Sequence, residues 1–583
     1  MRSLGASEKR SVVRVPVEVW ERIFRLLDAE DIVRVRSAMR TMYYAGTSLS
    51  LWRQLCARRE KEAPLPAMPG HVHPRSLLAS TSQVTASLAH SLERVVVHAE
   101  RLQRRWDSDG AMPTRVIRFR AHVNRITSLK LVVGDTRISA RTGRVQTEYW
   151  LVTGSVDGFV RVWDVNKALR QGGRLDVTHD FHVDHEEAID DTSTCDEDER
   201  RRTSTDGSLS DDPTNEIKRN ARAFLLAEVD TQGDITSLDA QLHPDRRALM
   251  IAVGSYYSAA GCLLYDLHLR TMPHVMDLRA SLDPPQWSGT QCVSLLGDAV
   301  AVGTYLGSIH VLDTRSGERT VLERTERGSI AALQLFPKHV LAVTRVGLLE
   351  VYARDVPAPT PAVPLVSQTL AQRALLSVAI SAPQPSQCGN LARVADWGDD
   401  APRPPLSVLV VDQAGLTHFV MDPSPGAAFP YSMPRVHARI PVPGERLIGA
   451  SLGASGHRAI LASSLGGLPP VCAMRSYTAT RPEASRLRPL RPTPDTQVPT
   501  ESGEARLSRS PSFTAPRVEE RSERRRTHRV DSFSSTASTN STAPSPSSRI
   551  DMLTESVLDE AHGLVCLASV RGAVWIADYG ASL

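Results

Sequence analysis

The chain has 583 residues, 41% of them hydrophobic and 23% charged. That is more than one hydrophobic core normally fills, so several domains or a large repeat architecture are expected. The formal net charge of +4 is too small to argue for a nucleic-acid partner, and no run approaches the roughly 20 apolar residues of a membrane span. Arg2, Glu8, Lys9 and Arg10 surround Leu4 at the start, which is not the apolar core of a secretory leader. Cys56, Cys195, Cys262, Cys292, Cys388, Cys472 and Cys566 lack paired spacing, as expected of free thiols in a cytoplasmic or nuclear protein.

From Val15 to Leu55 the chain reads as three short amphipathic helices. In the first, Pro16 suits the opening turn, where its missing N–H costs nothing. Val19, Ile23, Phe24, Leu26 and Leu27 follow at helical spacing. In the second, Asp28 is placed to cap the N-terminus and Asp31 to sit in the first turn, with Ile32, Val35, Met39 and Met42 as the stripe. The third begins near Ser48 or Ser50 and carries Leu51, Trp52 and Leu55. A unit this small has too little interior for so many large apolar side chains, so a partner is expected to cover them. A helical hairpin packed on its own domain would show the same stripe.

These residues resemble an F-box. The family's Leu-Pro, acidic residue, Ile-Phe, Leu pair, Asp-Leu and late Leu-Trp are matched by Val15-Pro16, Glu18, Ile23-Phe24, Leu26-Leu27, Asp31-Ile32 and Leu51-Trp52. Where the family has Val-Cys and then Trp, this chain has Ala38, Met39 and Met42. The resemblance implies an F-box over 12–60 that binds a Skp-type adaptor and, through it, cullin and RING subunits. Pro16, Ile23, Phe24, Leu27, Ile32, Leu51 and Trp52 are its implied adaptor-facing residues.

A linker and helical spacer is expected over 61–113. It starts with a Pro-rich joint at Pro64 to Pro74, and from Ser76 to Asp107 Leu92, Val95, Val96 and Leu102 back an Arg-rich face. Then RFRAHVNRITSLKLV and YWLVTGSVDGFVRVWDV, ending at Val165, look like one WD repeat. Ala121-His122 stands for its Gly-His, Ser155-Val156-Asp157-Gly158 for its turn and Trp163-Asp164 for its Trp-Asp. In such a repeat His122, a Thr or Ser on the second strand taken as Ser155, Asp157 and Trp163 would form a hydrogen-bond network that locks the blade. The rhythm of apolar strand, small-residue strand, Gly turn and alternating strand recurs to the end of the chain. The expected fold is therefore mainly β with a small α part at the N-terminus: a WD-repeat-like β-propeller of about seven blades over 114–583. Val116 to His122 is expected to complete the last blade, since open edges expose unpaired backbone. A β-sandwich, or two smaller β domains, also suits short strands with regular turns.

Two inserts interrupt the blades, an acidic Ser/Thr-rich one over 176–215 and a Pro/Ser/Arg-rich one over 478–549. Neither buries enough apolar surface to offset ordering entropy, so both are expected to be disordered. His179, His182 and His185 in the first show metal-like spacing, but a solvated segment lacks the closed ligand set a metal needs, so no metal and no cofactor are expected. Ser510-Pro511, Ser545-Pro546 and Ser532, three residues after Arg529, are candidate phosphorylation sites in the second.

No nucleophile and base set or phosphate-binding loop stands out, so the chain is not expected to be an enzyme. The order F-box, spacer, propeller resembles F-box/WD-repeat proteins. It implies a substrate receptor of a cullin–RING ubiquitin ligase, with the propeller holding a target protein, phosphorylated or not. The alternative is a scaffold that binds the adaptor without feeding a ligase. The turns after each blade's second strand place Tyr256, Tyr305, Arg345, Gln413 and Arg571 as target-binding residues on one rim.

Overall fold

The computed structural model describes residues 15–62, 82–108, 111, 113–138, 145–172, 222–243, 247–256, 261–282, 289–324, 328–354, 362–381, 405–424, 426–441, 445–453, 456, 458–465, 471–478, 488–490 and 553–580. The N-terminal part holds four helices, not three: α1 (Val17–Phe24), α2 (Ala29–Val35), α3 (Arg40–Gly46) and α4 (Leu49–Glu62). Pro16 precedes α1, and its carbonyl accepts the N–H groups of Val19 and Trp20. The expected second helix is two, because the chain turns extended at Met39, with φ −144° and ψ 150°. The break divides the anticipated stripe, leaving Ile32 and Met42 buried and Val35 and Met39 exposed.

Helix α5 (Ser82–Asp107) supplies the interior that those short helices lack. Its Ala89, Leu92 and Val96 pack with Phe24, Ile32, Leu51, Trp52 and Leu55 in one buried cluster. It also supplies the cap of α2. Asp28 makes no capping bond, whereas the Glu100 carboxylate accepts the Ala29 N–H at 2.9 Å, and Asp28 pairs with Arg104 at 2.8 Å. Arg101 meets Glu30 at 2.6 Å and holds its carboxyl below the usual range. Arg36 of the α2 C-cap pairs with Glu93 at 2.5 Å.

Further along, Leu102 and Trp106 of α5 join Ile460, Ala462, Trp575 and Tyr579 in a second core. The segment expected as a spacer is thus a helix with one end in each module. Burial at both ends, about 25 cal/mol per Å² of apolar area, opposes separation.

Among the described residues the strands form seven four-stranded antiparallel sheets. Six are continuous in sequence, over 126–230, 235–282, 290–322, 330–369, 377–441 and 445–490. The last holds three strands within 553–578 and, at its outer edge, Arg115–Arg120. There Arg115 pairs with Asp578 and Arg120 with Ala573, so the first strand completes the last sheet. The innermost strands neighbour one another in chain order, and Leu553–Asp559 returns to Ile126–Ile138. The ring is closed, the arrangement of a WD-like β-propeller.

Burial follows position in each sheet. Second strands lie between neighbouring sheets, and Ala248–Ser255, Ala299–Thr304 and Leu564–Ser569 are buried at every residue. Their glycines mark where the next sheet closes in. A Cβ on Gly254 would lie 2.4 Å from Thr290 Cγ2, and one on Gly154 would lie 2.7 Å from Ile235 Cγ2.

Three elements differ from expectation. Helix α6 (Val165–Gly172) follows the first Trp-Asp strand, and Leu225–Asp230 resumes the sheet beyond 176–215. Arg488–Leu490, inside the stretch read as the second insert, pairs with Val471–Thr478 as an edge strand. The rest of that insert, and the first insert with its histidines, lie outside the described residues.

Candidate interaction surfaces

The adaptor-facing set divides by burial. Phe24, Ile32, Leu51 and Trp52 have no exposed surface and pack with α5 residues, which corrects their assignment as anchors for a partner. Trp52 also donates its indole N–H to the Gly46 carbonyl at 2.9 Å. Leu27 is half-buried on the same core, while Pro16 and Ile23 are exposed. The large apolar side chains left in water in this part are Val19 and Ile23 of α1, Leu26 in the turn after it, Val35 and Met39 around the break, and Tyr43 and Tyr44 of α3, with Leu26 84% exposed. Helix α3 packs on both α1 and α2. Arg40 donates to the Tyr44 hydroxyl at 3.3 Å from Nε and Nη2. The sequence shows the apolar stripes but not which face α5 takes.

In the first blade His122 is buried and burial depresses its basicity. The neutral ring can donate from Nδ1 to Asp157 at 3.1 Å. Its Nε2 lies 2.7 Å from Thr153 Oγ1, which accepts the Trp163 indole N–H at 3.0 Å. Thr153 therefore takes the position assigned to Ser155. Ser155 Oγ accepts the Asp157 N–H at 3.2 Å and shapes the turn. Burial pushes the Asp157 carboxyl up, but His122 and the Phe159 and Val123 N–H groups bring it down to about 2. Strand alternation could have singled out Thr153, since it and Trp163 project from strands paired at this face.

The rim residues occupy equivalent turns. Tyr256, Tyr305, Arg345, Gln413 and Arg571 each follow the second strand of a sheet, as Val156 to Gly158 do in the first. The first three form one group. The rings of Tyr256 and Tyr305 meet edge-to-face at 6.4 Å, and Tyr256 lies against Gly289, where a Cβ would come within 2.1 Å of its ring. Arg345 Nη2 reaches Gln291 Oε1 at 3.5 Å. Gln413 and Arg571 stand on sheets farther round the ring. Leu306, Val346 and Leu376, exposed beside this group, went unnoticed in the sequence, where a turn residue's exposure is not legible.

One other cluster has catalytic-looking geometry. Thr147 Oγ1 lies 3.1 Å from His562 Nε2, His562 Nδ1 lies 2.7 Å from Asp559 Oδ2, and the Tyr149 hydroxyl donates to Asp559 Oδ2 at 3.0 Å. Thr147 and Asp559 are buried, and the network ties the last sheet to the first where the ring closes. Among the described residues no group of acidic, His or Cys side chains could hold a metal ion, and no helix is long and apolar enough to cross a membrane.

No protein-family profile matches the chain, and no curated protein matches it. Among solved structures it is similar to the β-propeller domain of Cps50 (Swd1) from Myceliophteria thermophila. That match has 10% identity and a TM-score of 0.42, and covers 79% of this chain and 99% of that one.

Proposed function

We propose that the chain is the substrate-recognition subunit of a cullin–RING–F-box ubiquitin ligase. Its short helices bind a Skp-type adaptor, its propeller holds the target, and the chain carries no catalytic step of its own. The observation that carries the reading is the apolar face of Val19, Ile23, Leu26, Val35, Met39, Tyr43 and Tyr44, left in water after α5 has covered the other side. Several large apolar side chains left exposed on one small helical unit are the mark of a protein partner. With the adaptor seated there, the target gains rate by proximity to the ubiquitin-charged subunit.

The test is co-purification of the tagged full chain with the adaptor, comparing wild type with Ile23→Asp/Leu26→Asp. Both positions are exposed, so the variant should fold and lose the adaptor at least tenfold. Unchanged recovery overturns the reading. Recovery of the adaptor without cullin and RING subunits would mark a scaffold instead.

A further inference from the structure

The rim of the three sheets over 235–369 carries an apolar arc that neither the core nor the ring closure uses. Tyr256 and Tyr305 meet edge-to-face, and Leu306, Val346 and Leu376 are exposed beside them. Hydrogen bonds hold the arc in place. Tyr305 N–H donates to Gly289 C=O at 2.9 Å, Arg345 N–H to Ser329 C=O at 2.9 Å, and Leu375 N–H to Arg345 C=O at 2.8 Å. Its backbone is therefore preformed, and ordering it costs a ligand little.

Charge decides what fits. Arg345 and Arg373 are exposed on this rim, and neither has an acidic side chain within salt-bridge distance among the described residues. The arginine that does pair here is Arg324, buried on Glu350. Two exposed guanidinium groups flank aromatic and aliphatic surface, so the partner needs carboxylates next to an apolar side chain. Arg345 Nη2 lies 3.5 Å from Gln291 Oε1, and each guanidinium can take one carboxylate in bidentate fashion.

We infer that the arc of Tyr256, Tyr305, Leu306 and Val346, with Arg345 and Arg373, docks an extended acidic peptide segment through one apolar anchor. The anchor rests on the tyrosine pair and Leu306, and Asp or Glu residues beside it pair with the arginines. This deepens the target-holding role given above to the propeller and is independent of the helical face.

The test uses the purified full chain and an array of synthetic dodecapeptides. In these an anchor of Leu, Phe or Ser is combined with flanking Glu, Gln or phosphoserine. Binding is expected for Leu or Phe with Glu, at least tenfold tighter than with Gln or with a Ser anchor. Tyr305→Ala/Leu306→Ser and, separately, Arg345→Glu should each weaken it at least tenfold, with melting temperature and adaptor recovery unchanged, while Arg571→Glu should have no effect. Absence of any binding peptide, tenfold preference for phosphoserine over Glu, or retained binding by both rim variants would each overturn the inference. Adaptor recovery, measured in parallel, reports on the helical face alone.

Discussion

The indole of Trp106 stacks on the phenol of Tyr579, with centroids 4.8 Å apart and planes inclined by 28°. Arg458 Cζ lies over the indole at 4.9 Å from its centroid, and Arg105 donates to the Tyr579 carbonyl at 2.8 Å. Tyr579 is buried, which raises its phenol pKa. Helix α5 is thereby anchored to the last sheet of the propeller, and the helical face and the rim belong to one connected body.

Trp106→Ala should remove that anchor at a cost of about 3–5 kcal/mol, the usual range for deleting a buried large aromatic. The expected outcome in calorimetry is a split of one cooperative transition into two, as helices and propeller unfold separately. A single transition shifted by less than 2 °C would show that the stack does not couple them.

Removing the remote cap tests how α2 is held. Glu100→Ala leaves the Ala29 N–H without its acceptor and should destabilise by about 1–2 kcal/mol. Burial raises the Glu100 pKa, so Glu100→Gln, which keeps an acceptor oxygen, should lose about half as much. Equal losses in chemical denaturation would assign the effect to packing.

The first-blade network separates two hydroxyls. Thr153→Val keeps the shape but leaves the Trp163 N–H and His122 Nε2 unpaired, at about 1–3 kcal/mol. Ser155→Ala removes a turn contact and should cost under about 1 kcal/mol. The opposite ranking in urea denaturation would return the bridging role to Ser155.

Acid should act through His98 of α5. It is buried, and burial, with His562 beside it, lowers its pKa to about 4 although the Ala561 backbone opposes this. Asp559 and Arg101 also face it. Between pH 6.5 and 4 the unfolded chain binds a proton at this residue that the folded chain does not, so stability is full above 6.5 and declines as pH falls. Asp578, raised to about 6 by burial, works the other way between 6 and 3.8. The comparison that isolates His98 is wild type against His98→Leu, and the variant should gain on wild type by about 1 kcal/mol per pH unit on acidification. A constant difference across that range would mean that His98 is protonated in the fold.

Inter-sheet spacing depends on Gly254. Gly254→Ala places a methyl group 2.4 Å from Thr290 Cγ2 and should cost about 1–3 kcal/mol as an overpacked contact. Thr290→Ser in the same chain should recover part of that loss, and a denaturation midpoint unchanged by the first substitution would show that the sheets can part.

Much of the fold was legible locally. The alternation of apolar strands and the Gly turns follow from periodicity and turn chemistry within a few residues, whereas the His122, Asp157 and Trp163 network was expected from the resemblance to a WD repeat and the return of the first strand to the last sheet from the need to close open edges. The helical stripes were legible too, but Phe24, Ile32, Leu51 and Trp52 were assigned outward because nothing near them in sequence shows that α5 lies on top. The rim turns were placed correctly on their sheets, while Leu306, Val346 and Leu376 look like any turn residues until their exposure is known.

By itself the sequence determined where strands and short helices form, because backbone propensity and side-chain period act over one or two turns of chain. Tertiary structure alone decided which apolar face is core and which is surface. Burial depends on what packs from far away: Glu100 capping Ala29, α5 covering Trp52, Trp106 meeting Tyr579. Those contacts join segments that no local pattern links, and they leave the face of Ile23 and Leu26 and the arc of Tyr256 and Tyr305 in water.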